Sequence, residues 1–148
     1  MSIKTRNSQY DVFISYAQAD AEWARLLGEA LSAHGVRVFS DFSEASFHPG
    51  ENFRRKFEQA LQESEYVVVV VSEGSANSSW VAFELGAALG MGKEVVPIIS
   101  KGVRNEDLSG PIKLRKSLEK NEPEIVAQQL LTKFSKKQTR QHNQGGAY

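Results

Sequence analysis

Tyr66-Val67-Val68-Val69-Val70-Val71 is apolar at every position. Branched Cβ atoms restrict χ1 and pack well on a pleated surface, so the valine run favours an extended chain. A strand without polar alternation is covered on both faces, as in the middle of a parallel sheet. The neighbouring segments fit that placement. Upstream, Tyr10-Asp11-Val12-Phe13-Ile14-Ser15 and Val36 to Phe39 read as strands, and downstream Glu94 to Ile99 reads as a fourth. Helical spacing separates them. Within Asp20 to His34, Trp23, Leu26, Leu27, Ala30 and Leu31 recur at i, i+3, i+4, i+7 and i+8. Asp20 suits the N-cap of that helix and Gly35 its far end. Phe53, Phe57, Ala60 and Leu61 resume the helical period, and another helix runs from Trp80 to about Met91, ended by Gly92. Ile112 to Leu118 fits either a short edge strand or a turn of helix. Pro123 opens a last helix with Ile125, Val126, Leu130 and Phe134 on one face.

This alternation predicts an α/β protein, a flavodoxin-like three-layer sandwich. Its parallel sheet has about five strands in the order 2-1-3-4-5, with helices on both faces. Ligands in such sheets sit beyond the carboxyl ends of the strands, where the strand order reverses. That point lies between the first and third strands. The loops facing it are Ser15 to Asp20 and Ser72 to Ser79, with the long polar loop Ser40 to Gly50 beside them.

The chain has 148 residues, enough for one domain. Residues 1–9 read as a flexible leader, 10–135 as the domain and 136–148 as a disordered polar tail. Eighteen basic and eighteen acidic residues cancel, which argues against nucleic acid or a membrane surface as partner. No cysteine is present, so disulfides, thiolate metal sites and a cysteine nucleophile are excluded. The valine run is too short to span a bilayer, and the polar start of the chain lacks the apolar core of a signal peptide. A cytoplasmic protein is expected.

Trp80 and Glu84 are four apart, hence on one face of the helix that follows the third strand. An aromatic plane beside a carboxylate at a sheet edge suits a ligand carrying a flat base and a sugar. The plainer alternative is a core tryptophan and a solvated glutamate. Val81, Ala82, Phe83, Leu85, Gly86, Ala87 and Ala88 weigh against it, because a carboxylate in an apolar helix is costly unless paired or used. Phe42 and Phe47, in the polar loop, are partner contacts, a ligand lid, or residues folded back on the core. His34, His48 and His142 share no metal-ligand spacing, so no metal is expected. Gly86, Gly90 and Gly92 suggest close helix packing rather than a phosphate cradle.

These boxes resemble the Toll/interleukin-1 receptor (TIR) domain family. Tyr10 to Ala17 resembles its opening box. Gly35-Val36-Arg37-Val38-Phe39-Ser40-Asp41 with Pro49-Gly50-Glu51 resembles the second strand and the BB loop. Val71-Ser72, Ser79-Trp80 and Glu84 resemble the third box with its W-x-x-x-E motif. The resemblance implies an enzyme of the bacterial type that cleaves NAD at the nicotinamide–ribose bond. Its products are nicotinamide and ADP-ribose or a cyclic isomer, and its implied setting is antiphage defence or immune signalling. NAD is then a substrate, and no cofactor is implied. Glu84 is the implied catalytic residue, with Trp80, Ser15, Tyr16, Phe42 and Phe47 binding the substrate. Self-association through residues 40–50 and the helices is implied too, as is an upstream activator or a downstream receptor of a nucleotide product. The alternatives are a non-catalytic TIR module that only assembles, and a deoxyribosyl-transferring enzyme on a similar fold.

Overall fold

The computed structural model describes residues 9–40, 58–73, 86, 88–104, 106, 108 and 116–146, with 136–146 described by backbone alone. Five strands form one sheet: β1 (Tyr10–Ser15), β2 (Val38–Phe39), β3 (Ser64–Val71), β4 (Glu94–Ile99) and β5 (Leu118–Glu119). Their order is β2-β1-β3-β4-β5 and every pairing is parallel, as the valine run and its flanks predict. β3 sits at the centre. Val67 to Val70 have no solvent exposure, which is why no polar residue interrupts them. Of the ambiguous stretch Ile112 to Leu118, residues 112–115 lie outside the described residues, and Leu118 enters the two-residue strand β5.

Two helices carry the described helical mass, α1 (Ala21–Ala33) and α2 (Pro123–Gly146). They pack on each other and so share one face of the sheet. Trp23 Nε1 donates to the Asn121 carbonyl at 2.9 Å, and His34 Nε2 lies 3.3 Å from Gln128 Nε2. Right-handed crossovers put the helical stretches 58–62 and 88–90 on the opposite face, where Ala60, Leu61 and Ala88 are buried.

Both described helix ends that precede a glycine use one device. Gly35 (φ 86°) donates to the Ser32 carbonyl while Val36 donates to Leu31. Gly92 (φ 72°) donates to Leu89 while Lys93 donates to Ala88. This paired pattern satisfies carbonyls the helix would otherwise leave open, and it needs a left-handed residue that glycine supplies without strain. Gly92 is therefore a helix stop and not a packing residue. Among the described residues, none lies within 4 Å of a Cβ built on Gly86 or Gly90.

α2 also departs from its sequence reading. Apolar periodicity ends at Phe134, which gives 136–148 as a disordered tail, yet the helical backbone continues to Gly146. Lys136, Lys137, Gln138, Arg140 and Gln141 favour a helix intrinsically.

The edge of the sheet is tied by charge. Asp11 in β1 accepts hydrogen bonds from the Arg37 backbone N–H and from Arg37 Nη2, both at 2.9 Å. Partial burial pushes the Asp11 carboxyl up, but the Arg37 hydrogen bonds and charge together outweigh it and leave it below its ordinary value of 3.8. A lowered carboxyl stabilises the fold above its unfolded value and loses that contribution as pH falls through the folded one. The pair is partly exposed, so it contributes at most about 1 kcal/mol. The stability difference between the wild type and Arg37→Met, read from urea midpoints, is expected to shrink between about pH 6 and about pH 2.5.

Candidate active site at the carboxyl edge of the sheet

β1, β3, β4 and β5 all end on the same edge, because all run parallel. Ser15 pairs with Val69, so β1 stops two residues short of the end of β3. Ser100 N–H donates to the Val71 carbonyl at 2.9 Å, and Lys120 N–H donates to the Ile99 carbonyl at 2.8 Å. These bonds carry the ladder one step past the strands and set the exits of β4 and β5 beside that of β3.

Ser15 is fully buried, and Tyr16 is nearly so. The Tyr16 hydroxyl donates to the Ser40 carbonyl at 3.1 Å, which ties the exit of β1 to the residue that precedes segment 41–50. Ser15 ends β1 and Tyr16 follows it, and both side chains are buried rather than at the surface. Phe42, Phe47, Trp80 and Glu84 lie outside the described residues, as does His48. His34 is occupied at the contact between α1 and α2. Among the described residues no group of three or more potential ligands could hold a metal ion, and no helix is long and apolar enough to cross a membrane.

The described edge also contains a cluster that sequence spacing does not reveal. Asp20 is 3% exposed and makes no capping bond to α1. Its backbone belongs to a 3-10 turn, Gln18–Asp20, which turns the side chain away from the helix and onto the sheet edge. There Oδ2 accepts from Ser72 Oγ at 2.9 Å, and Oδ1 from Lys120 Nζ at 3.3 Å. The Lys120 ammonium lies 5.4 Å from the centre of the Trp23 ring, within cation–π range. One carboxylate thus joins the exits of β1, β3 and β5. A buried carboxylate stripped of its cation is left uncompensated, at a cost of roughly 3–5 kcal/mol. Next to Ser72, the Glu73 carboxylate lies over Gly102, close enough that a Cβ there would run into it. This close approach brings the exits of β3 and β4 together.

The described cavity is elsewhere. An open groove of about 510 Å³ lies between α1 and β2, lined by residues that include Gly28, Val38 and Ser40. Arg25, paired with Glu22 and Glu29, stands at its rim. The groove does not reach Ser15, Asp20 or Ser72.

Known proteins resemble this chain in sequence and in fold. The TIR-domain family profile matches residues 12–131. An NAD(+) hydrolase of Theionarchaea archaeon is 35% identical over 104 residues, covering 68% of this chain and 31% of that protein. A 2′ cyclic ADP-D-ribose synthase of Acinetobacter baumannii is 32% identical over 112 residues, covering 72% of this chain and 41% of that protein. Among solved structures, a metazoan TIR-STING receptor from C. gigas superposes with a TM-score of 0.64 at 28% identity, over 82% of this chain and 40% of that one. The chain therefore spans less than half the length of these two curated relatives.

Proposed function

Because the chain belongs to the TIR-domain family, we propose that it cleaves NAD at the nicotinamide–ribose bond. The carrying observation is the Trp80-x-x-x-Glu84 motif in the segment that leaves β3 beside the point where strand order reverses. The names of the hydrolase and the cyclic ADP-ribose synthase support the same substrate.

The chemistry asks for little machinery. The bond between ribose C1′ and the pyridinium nitrogen breaks, and its electron pair stays with nitrogen. Nicotinamide leaves neutral, so no general acid is needed. Positive charge then develops on the ribose, and a carboxylate beside it stabilises that charge. In this proposal Glu84 supplies the carboxylate and Trp80 stacks on a flat ring of the substrate. Ser15 and Tyr16 form the floor, and Phe42 and Phe47 bind from segment 41–50. Water attacking C1′ and losing a proton yields ADP-ribose, whereas attack by a hydroxyl of the same molecule yields a cyclic isomer.

The proposal includes self-association through residues 40–50 and the helices, in a setting of antiphage defence or immune signalling. An upstream activator or a downstream receptor of a nucleotide product completes that setting. The test is nicotinamide release from NAD at high protein concentration, with the second product identified by mass. Release is expected, with specific activity rising with concentration. Absence of release even from concentrated protein overturns the catalytic reading in favour of the assembly module. Action on deoxynucleosides instead of NAD would indicate deoxyribosyl transfer.

A further inference from the structure

We propose that Asp20 is a positioning residue for the reaction, acting through Ser72 on the turn by which the chain leaves β3 toward Trp80 and Glu84. The inference rests on the proposed NAD cleavage and adds a residue to it. Three observations carry it. Asp20 is buried, yet it gives up the capping bond that its place before α1 offers. Both carboxylate oxygens are directed at the exits of other strands, at Ser72 and Lys120. Trp23 packs beside Lys120 and donates to the Asn121 carbonyl, so the cation that holds Asp20 is itself held.

An apolar residue in this place would fill the space without directional contacts. The carboxylate instead makes a directional contact to each of two exits, at Ser72 and at Lys120. Ser72 is the first residue after β3, and the segment it begins contains Trp80 and Glu84. A displacement of about 1 Å in such a segment can cost about a hundredfold in rate without any loss of fold.

The test uses Ser72→Ala, which removes the hydroxyl while Asp20 keeps its cation, because Asp20→Ala can fail to fold. Ser72→Ala is expected to lower kcat by about tenfold or more with the NAD KM within about twofold, and Ser72→Thr to restore most of the rate. If the two residues act through one bond, Asp20→Asn combined with Ser72→Ala loses no more than the worse single variant. Wild-type kcat in Ser72→Ala, or a loss matching only the unfolded fraction in a thermal melt, overturns the proposal. Amide hydrogen exchange separates its failure from that of the proposed function. Should the wild type release no nicotinamide, faster exchange across residues 73–85 in Ser72→Ala, with β1 and β4 unchanged, still supports the positioning role. Equal exchange overturns it.

Discussion

Glu84→Gln is expected to lower nicotinamide release from NAD by about a hundredfold to a thousandfold. The substitution keeps the size and shape of the side chain and removes its charge. What is lost is the attraction between a carboxylate and the positive charge that develops on the ribose as nicotinamide departs. A fixed charge next to a developing one contributes about 3–4 kcal/mol in comparable sites, which corresponds to that range of rates. The substrate carries its positive charge on the pyridinium ring, whereas the transition state moves it onto the sugar. The loss should therefore fall mainly on kcat, with KM for NAD changing little. Initial rates across a range of NAD concentrations check this, with a thermal melt to show that the variant is folded. A rate within about threefold of the wild type would remove Glu84 from the chemistry.

Phe13→Ala is expected to destabilise the fold by about 3–5 kcal/mol. Phe13 has no solvent exposure and stands in β1, directly paired with Phe39 of β2. The two rings stack with centroids 5.3 Å apart, and Tyr10 meets Phe39 edge-on at 5.2 Å. Truncation leaves a cavity in the middle of this group and removes the ring contact that holds the short strand β2 to the sheet. A domain of this kind has about 5–15 kcal/mol of stability in all, so the variant should melt far below the wild type. Urea denaturation measures the effect, with the midpoint falling and the slope unchanged. Phe13→Leu should recover much of the loss because it refills most of the volume. A Phe13→Ala midpoint equal to that of the wild type would contradict the packing described for β1 and β2.

The fold was legible where local chemistry and tertiary role agree. Consecutive valines with no polar partner must be central, and β3 is central. β1 and β4 match their sequence readings residue for residue, because β-branched and aromatic residues there are buried as well as extended. Gly35 was legible as a helix stop because only its backbone conformation matters. β2 is shorter than its reading. Only Val38 and Phe39 are paired as strand: the Arg37 carbonyl still accepts from the Asp11 and Val12 N–H groups of β1, but its own N–H goes to the Asp11 carboxylate.

The candidate site was legible in part. The strand order locates the switch point, and the TIR-like boxes locate the residues proposed to act there. The role of Asp20 was not legible. Its sequence position suits an N-cap, and its actual partners are 52 and 100 residues away. No spacing rule connects Asp20, Ser72 and Lys120. They meet because three parallel strands end on one edge. An aspartate before a helix satisfies a local rule whether or not its side chain obeys it, so the signal could come only from the topology.

The most direct test of the central claim is a side-by-side assay of nicotinamide release from NAD by concentrated wild-type protein and by Glu84→Gln. Release by the wild type, lost by about a hundredfold or more in the variant, is the predicted result. Equal release by both, or none from a folded and concentrated wild type, would contradict it.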